Sequence, residues 1–397
     1  MKIFKLMVVA LVAMLGFAAC EKDCDHDFIE VDHSKDLVGT WTCLTADYAE
    51  ALVIKADGSA LSTGYDGEDF WENVAGNIVV ENGTITMTFE DGDNFKGHFD
   101  IIPGMAFSIY TEEGNRLTFN YCANDLSDEV IGMWVATTGP YMSVEVFNED
   151  GSAIYTGFVP ESEEMAVTSV TSYKVVGDLQ FHTVAEDNST YVVHRLIYSP
   201  SSQTSLGEIM TWQVDENISF PRLRVKQSLD LAGQKYDYIK TFVSNVKGLD
   251  KDINFMGFEF NFAKMDGVKL DKMLKTLLFA VEFPTADSIK YSCHYNGEYM
   301  ALTAPIAVDG NKMTVKMSDK DAAYKDVDLY TFQDADCSQM HMYMPTYAFI
   351  NFFGNMQATM MSQMGDLDLT DTAAVKAVFD NIESAVETIN LSLVMSK

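Results

Sequence analysis

The sequence predicts a mainly β protein in three folded parts, two small tandem antiparallel barrels followed by an α+β domain. Three observations predict it. First, the chain repeats itself: Asp57-Gly58-Ser59-Ala60 recurs as Asp150-Gly151-Ser152-Ala153, 93 positions later. Thr63-Gly64-Tyr65 returns at the same offset as Thr156-Gly157-Phe158. Second, the repeated stretches alternate with the two-residue period of strands. Third, composition shifts beyond residues 200–205, Pro-Ser-Ser-Gln-Thr-Ser, where methionines gather and helical periods appear.

The chain opens with Lys2 and Lys5 ahead of an apolar run over 6–15. That is an export signal. A membrane span needs about 20 apolar residues. Phe17-Ala18-Ala19-Cys20 resembles the lipobox of bacterial lipoproteins, with Phe17 where Leu is usual. The resemblance implies that residues 1–19 are a signal peptide and that the Cys20 thiol carries lipid. The acidic stretch 20–35 resembles the export tag of Bacteroidota surface lipoproteins and reads as a solvated tether. Cys24, His26 and His33 lie on or near it, but a flexible tether does not preorganise metal ligands. The implied address is the outer membrane, lipid-anchored and facing the cell exterior.

Acidic residues number 59 against 27 basic ones, a net charge of −32. Nucleic-acid phosphates would be repelled, so nucleic acid is excluded as a partner. A hydrophobic share of 47% excludes a disordered chain. Export permits disulfides, so Cys43 with Cys122, and Cys293 with Cys337, are candidate pairs; buried thiols are the alternative.

The first copy is expected over 36–123 and the second over 124–200. Within the first, Ile78-Val79-Val80 leads into Asn82-Gly83, a hairpin signal. Thr84-Ile85-Thr86-Met87-Thr88-Phe89 then alternates apolar with threonine. Gly39-x-Trp41 and Gly132-x-Trp134 stand at the start of the first strand of each copy, and each copy has one late arginine, Arg116 and Arg195. This combination resembles the lipocalin signature. It implies that each Trp closes the base of its barrel beneath its Arg, a cation–π seal. The second copy reads about ten residues shorter, with a loop or hairpin lost after Phe181. Interiors this small are largely filled by their own side chains, so both copies read mainly as spacers or recognition modules.

The third part, 206–397, combines clear strands with two amphipathic stripes. Met273, Leu274, Leu277, Leu278 and Val281 form one; Val375, Val378, Phe379, Ile382, Val386 and Ile389 form the other, after Thr370-Asp371-Thr372 as an N-cap. A lipocalin-like barrel carrying helices is one form this part can take. A helix from about Thr346 bears Phe353, Met356, Met360 and Met364. With the alternating Met340, Met342 and Met344 these make a polarizable apolar surface suited to a small apolar ligand. Ordinary core packing is the competing reading.

No nucleophile elbow, zinc-protease helix, phosphate loop or C-x-x-C motif is present. No cofactor or metal set is expected, and the chain is not expected to be an enzyme. Two functions remain: a lipoprotein holding a small apolar molecule in its last domain, or a glycan- or protein-binding accessory of an outer-membrane uptake system. Trp71 aligns with Glu164 in the other copy, so it lies outside the shared core pattern and is the aromatic to inspect.

Overall fold

The computed structural model describes residues 33–81, 83–110, 116–136, 142–159, 164–184, 191–204, 207–215, 217–255, 258–277, 280–295, 298–317 and 323–397. Cys20 and the tether up to residue 32 lie outside them. Three closed eight-stranded antiparallel barrels follow one another along the chain. In the first, Gly39–Leu44 closes against Arg116–Cys122. In the second, Gly132–Ala136 closes against Ser219–Val225. In the third, Gln234–Gly248 pairs with both Ala280–Thr285 and Val386–Ser396. Each barrel surrounds its own apolar core.

The duplication holds at atomic detail. Trp41 and Trp134 are both fully buried. Each indole donates to the carbonyl four residues back, Leu37 and Val130, at 2.7 Å. Gly39 and Gly132 have φ of 138° and 132°, a region favouring glycine. A Cβ on Gly39 would also lie 2.7 Å from the Tyr121 ring, so a side chain there would displace the cover of the Trp.

Several expectations are corrected. The second barrel does not end at residue 200: Ile209–Gln213 and Ser219–Val225 complete it. Residues 200–204 belong to a connection between two of its strands, Tyr191–Ser199 and Ile209–Gln213, not to a boundary between domains, and the second copy is the longer one. Arg195 therefore lies mid-barrel, where it pairs with Asp178 at 3.3 Å. The cation over Trp134 is Arg224, 5.3 Å from the ring centre and directly opposite it in the ladder. In the first barrel Tyr121 holds that ladder position, its ring 5.1 Å from Trp41. Arg116 lies over Tyr110 and bonds Ser108. Cys43, Cys122 and Cys337 are free thiols. Cys122 sits opposite Thr40, so Cys43 is three residues, about 10 Å, further along the strand and out of disulfide reach. With Cys337 free, the pair with Cys293 is not formed either.

The third barrel carries the helices Gly267–Leu277, Thr346–Gln363 and Thr372–Glu383. Asp371 caps the last by accepting from the N–H groups of Ala373 and Ala374 at 3.1 Å. Val281, Val386 and Ile389, read as helical, belong to strands. Phe349, Phe353, Met356 and Met360 of the long helix join the barrel core.

Neighbouring barrels grip each other through outward strand faces. Ala49, Ala51, Tyr65 and Phe70 of the first pack on Leu179, Phe181 and Tyr191 of the second. Phe70 stacks on Tyr191 at 4.2 Å. Met142, Val144 and Phe158 of the second pack on Tyr330, Phe332 and Tyr343 of the third. Met142, Val144 and Phe158 are the 93-residue counterparts of Ala49, Ala51 and Tyr65, so both copies use the same face.

Candidate functional site

The methionine surface is brought together as packing. Met340, Met342, Met344, Phe353, Met356 and Met360 are all buried in the core of the third barrel. The cavity beside Met342 and Met344 measures about 30 Å³, an order of magnitude below the roughly 300 Å³ at which small-molecule sites begin. Met364 is 62% exposed at the helix end, outside that core.

The second barrel is different. Its base is apolar, built from Trp134, Phe147, Leu196, Met210 and Trp212. Above that floor the inward positions turn polar around a cavity of about 350 Å³. The strand Ser143–Phe147 supplies Glu145, only 3% exposed. The closing strand supplies Arg222, which forms an ion pair with Glu145 and lies 4.8 Å over the Trp212 ring. Trp212 in turn donates to Gln180 at 2.6 Å. His182 bridges Thr171 at 3.2 Å and Tyr155 at 3.4 Å. His194 pairs with Gln180 in the ladder and lines the same wall. Val184 and Phe220, about half exposed, form an apolar rim.

Burial sets the charge states. Desolvation pushes the Glu145 carboxyl up to about 7 although Arg222 pulls it down. It pushes both imidazoles down to about 4, helped by the Arg222 charge. Near neutral pH the histidines are uncharged, and each can donate from one nitrogen and accept at the other. His194 Nδ1, Arg222 Nε and Gln180 Nε2 are buried without a partner among the described residues. The cup thus sets uncharged polar side chains around one guanidinium–carboxylate pair.

Sequence reasoning missed this cup for two reasons. The cut at residue 200 moved Trp212, Phe220 and Arg222 into another domain. Glu145, between Val144 and Val146, reads from the sequence as the outward polar pleat; only its ladder partner Trp134 places it inward.

No protein-family model and no curated protein matches the sequence. Among solved structures, transferrin binding protein B of Haemophilus parasuis overlaps with a TM-score of 0.22 and 11% identity, covering 88% of this chain and 65% of that one. Its counterpart from Neisseria meningitidis gives 0.21, 8%, 88% and 65%. A Pseudomonas aeruginosa DNA polymerase sliding clamp gives 0.13, 9%, 73% and 91%. The chain thus spans less than two thirds of the transferrin binding proteins. With overlaps this low, the barrel assignment rests on the strand pairing itself.

Proposed function

We propose that this chain is a non-enzymatic, lipid-tethered surface protein that binds a small neutral saccharide in the cup of its second barrel. The observation that carries the reading is the buried Glu145–Arg222 pair facing a 350 Å³ space. A carboxylate beside a guanidinium presents acceptor and donor together, which suits vicinal hydroxyls. Neutral His182 and His194, Tyr155 and Thr171 extend that polar wall. The volume falls within the usual range for small-molecule sites. Glu145 is committed to Arg222, and His182 to Tyr155 and Thr171, which favours holding hydroxyls over moving protons. The net charge of −32 disfavours an anionic ligand. This replaces an apolar ligand in the third barrel, where the space is too small.

Calorimetric titration of the folded chain with mono- and disaccharides tests the binding. Tyr155→Phe and Thr171→Val should each weaken it several-fold to tenfold, about 1 kcal/mol per lost hydrogen bond. Binding unchanged in both variants, or absent for all sugars, would reject the cup. The tether is tested separately: Cys20→Ala should shift the protein from the membrane fraction to the soluble one, and persistence in membranes would overturn it.

A further inference from the structure

The first barrel has its own cup, and its chemistry is the opposite of the second. We propose that it is a second binding site, for a small organic cation carrying an alkylated ammonium group. The site is independent of the saccharide reading, because the two cups lie in different barrels.

The cavity measures about 310 Å³. Three of its walls are aromatic rings laid over inward glycines. Trp71 lies across Gly64, Phe89 across Gly76 and Phe95 across Gly97, where an added Cβ would come within 2.2, 2.4 and 2.6 Å of the respective rings. Tyr48 supplies a fourth ring, 6.1 Å from Trp71. Glycines at all three places let the rings lie close against the strand backbone, and with Tyr48 they line the space as an aromatic cage.

The floor is a carboxylate. Glu50 is 7% exposed. Tyr48 donates to one of its oxygens, and Ser62 donates to the other at 2.6 Å. Trp71 donates to that same Ser62 hydroxyl at 2.7 Å. The carboxylate and the cage are therefore fixed to each other. Burial raises the Glu50 carboxyl above its ordinary range, and a cation seated beside it offsets that desolvation. Asp66, Asp91 and Asp93 stand at the mouth, and no lysine or arginine lines the cavity among the described residues.

Aromatic faces attract cations through the ring quadrupole, and a group that is alkylated and weakly hydrated gains most in such a cage. The net charge of −32 raises the local concentration of cations. The sister cup lacks this arrangement. By ladder position Trp71 is replaced there by Ala166, opposite Gly157, and Gly76 by Thr171, opposite Ala153, two places beyond the 93-residue offset that set Trp71 against Glu164, and the second cup has Arg222 on its wall. The duplicated barrels have diverged into cups of opposite preference.

The test titrates the full chain with choline and with its uncharged isostere 3,3-dimethylbutan-1-ol, reading tryptophan fluorescence and heat. Choline should bind saturably and the isostere at least about tenfold more weakly. Glu50→Gln should weaken choline about tenfold or more. Because that variant alters a buried network, thermal unfolding checks its fold. The double variant Asp91→Asn with Asp93→Asn, on the exposed rim, should weaken choline two- to threefold, roughly, and flatten its salt dependence. Equal binding of choline and the isostere would overturn the proposal, as would no saturable change up to on the order of 10 mM choline.

Discussion

At the scale of single residues, the two sealing tryptophans show what a motif carries. Gly-x-Trp specifies the buried indole and its backbone acceptor, and both copies deliver them identically. The residue that covers the indole is set by ladder register, and no local spacing reveals it: Tyr121 in one barrel, Arg224 in the other. The same scale governs the pH response of the second barrel. His182 and His194 fall to about 4 in the folded state, so the unfolded chain binds more protons below its own value of 6.5. Their contribution is present above pH 6.5 and is lost as pH falls toward 4. Glu145, raised to about 7 from 4.5, acts with the opposite sign between those values. Two histidines outweigh one glutamate, so stability of the second barrel should decline below about pH 6. The double variant His182→Gln with His194→Gln should abolish that decline and leave the opposite trend of Glu145, and Glu145→Gln should steepen it. Urea unfolding followed by tryptophan fluorescence from pH 7.5 to 4.5 (roughly the span of these shifts) measures both. An identical slope in all three proteins would refute the assignment.

At the scale of elements, the hairpins and alternating strands of the first copy were legible because each is a local pattern. The end of the second was not. Residues 200–205 read as a linker because turn residues look the same whether they join two strands of one barrel or two domains. The deciding fact is the long-range pairing of Ser219–Val225 with Gly132–Ala136. Barrel closure is all-or-none, since a missing strand leaves open edges. A fragment 124–200 should therefore be unfolded or aggregated. A fragment 124–226 should unfold as one cooperative unit with dispersed NMR resonances. Cooperative folding of the shorter fragment would contradict the closure seen here. The helical stripes misled in a related way: Val386 and Ile389 continue an apolar face past Ile382, but the chain leaves the helix Thr372–Glu383 and enters the closing strand. Apolar spacing alone does not mark where one period gives way to the other.

At the scale of the whole molecule, the barrels form a row held by aromatic contacts. Phe70→Asp places a charge against Tyr191 and Phe181 and removes about 2 kcal/mol of apolar burial. It should loosen the first barrel from the second without unfolding either. Small-angle scattering should show a larger radius of gyration, with the circular dichroism spectrum unchanged; an unchanged radius would mean that the joint does not depend on this stack. The joint has a direction. Each copy grips with its second to fourth strands, and the second barrel is gripped on its fifth and sixth, where Leu179, Phe181 and Tyr191 face outward. The fifth strand of the first barrel, Thr84–Phe89, turns Thr84, Thr86 and Thr88 outward instead, beside Lys96 and Asn94. A head-to-tail contact of this kind never closes on itself and could in principle run on without limit. Three threonines in place of leucine and phenylalanine make the first barrel a terminus, with no apolar face on that strand for a second molecule to seize.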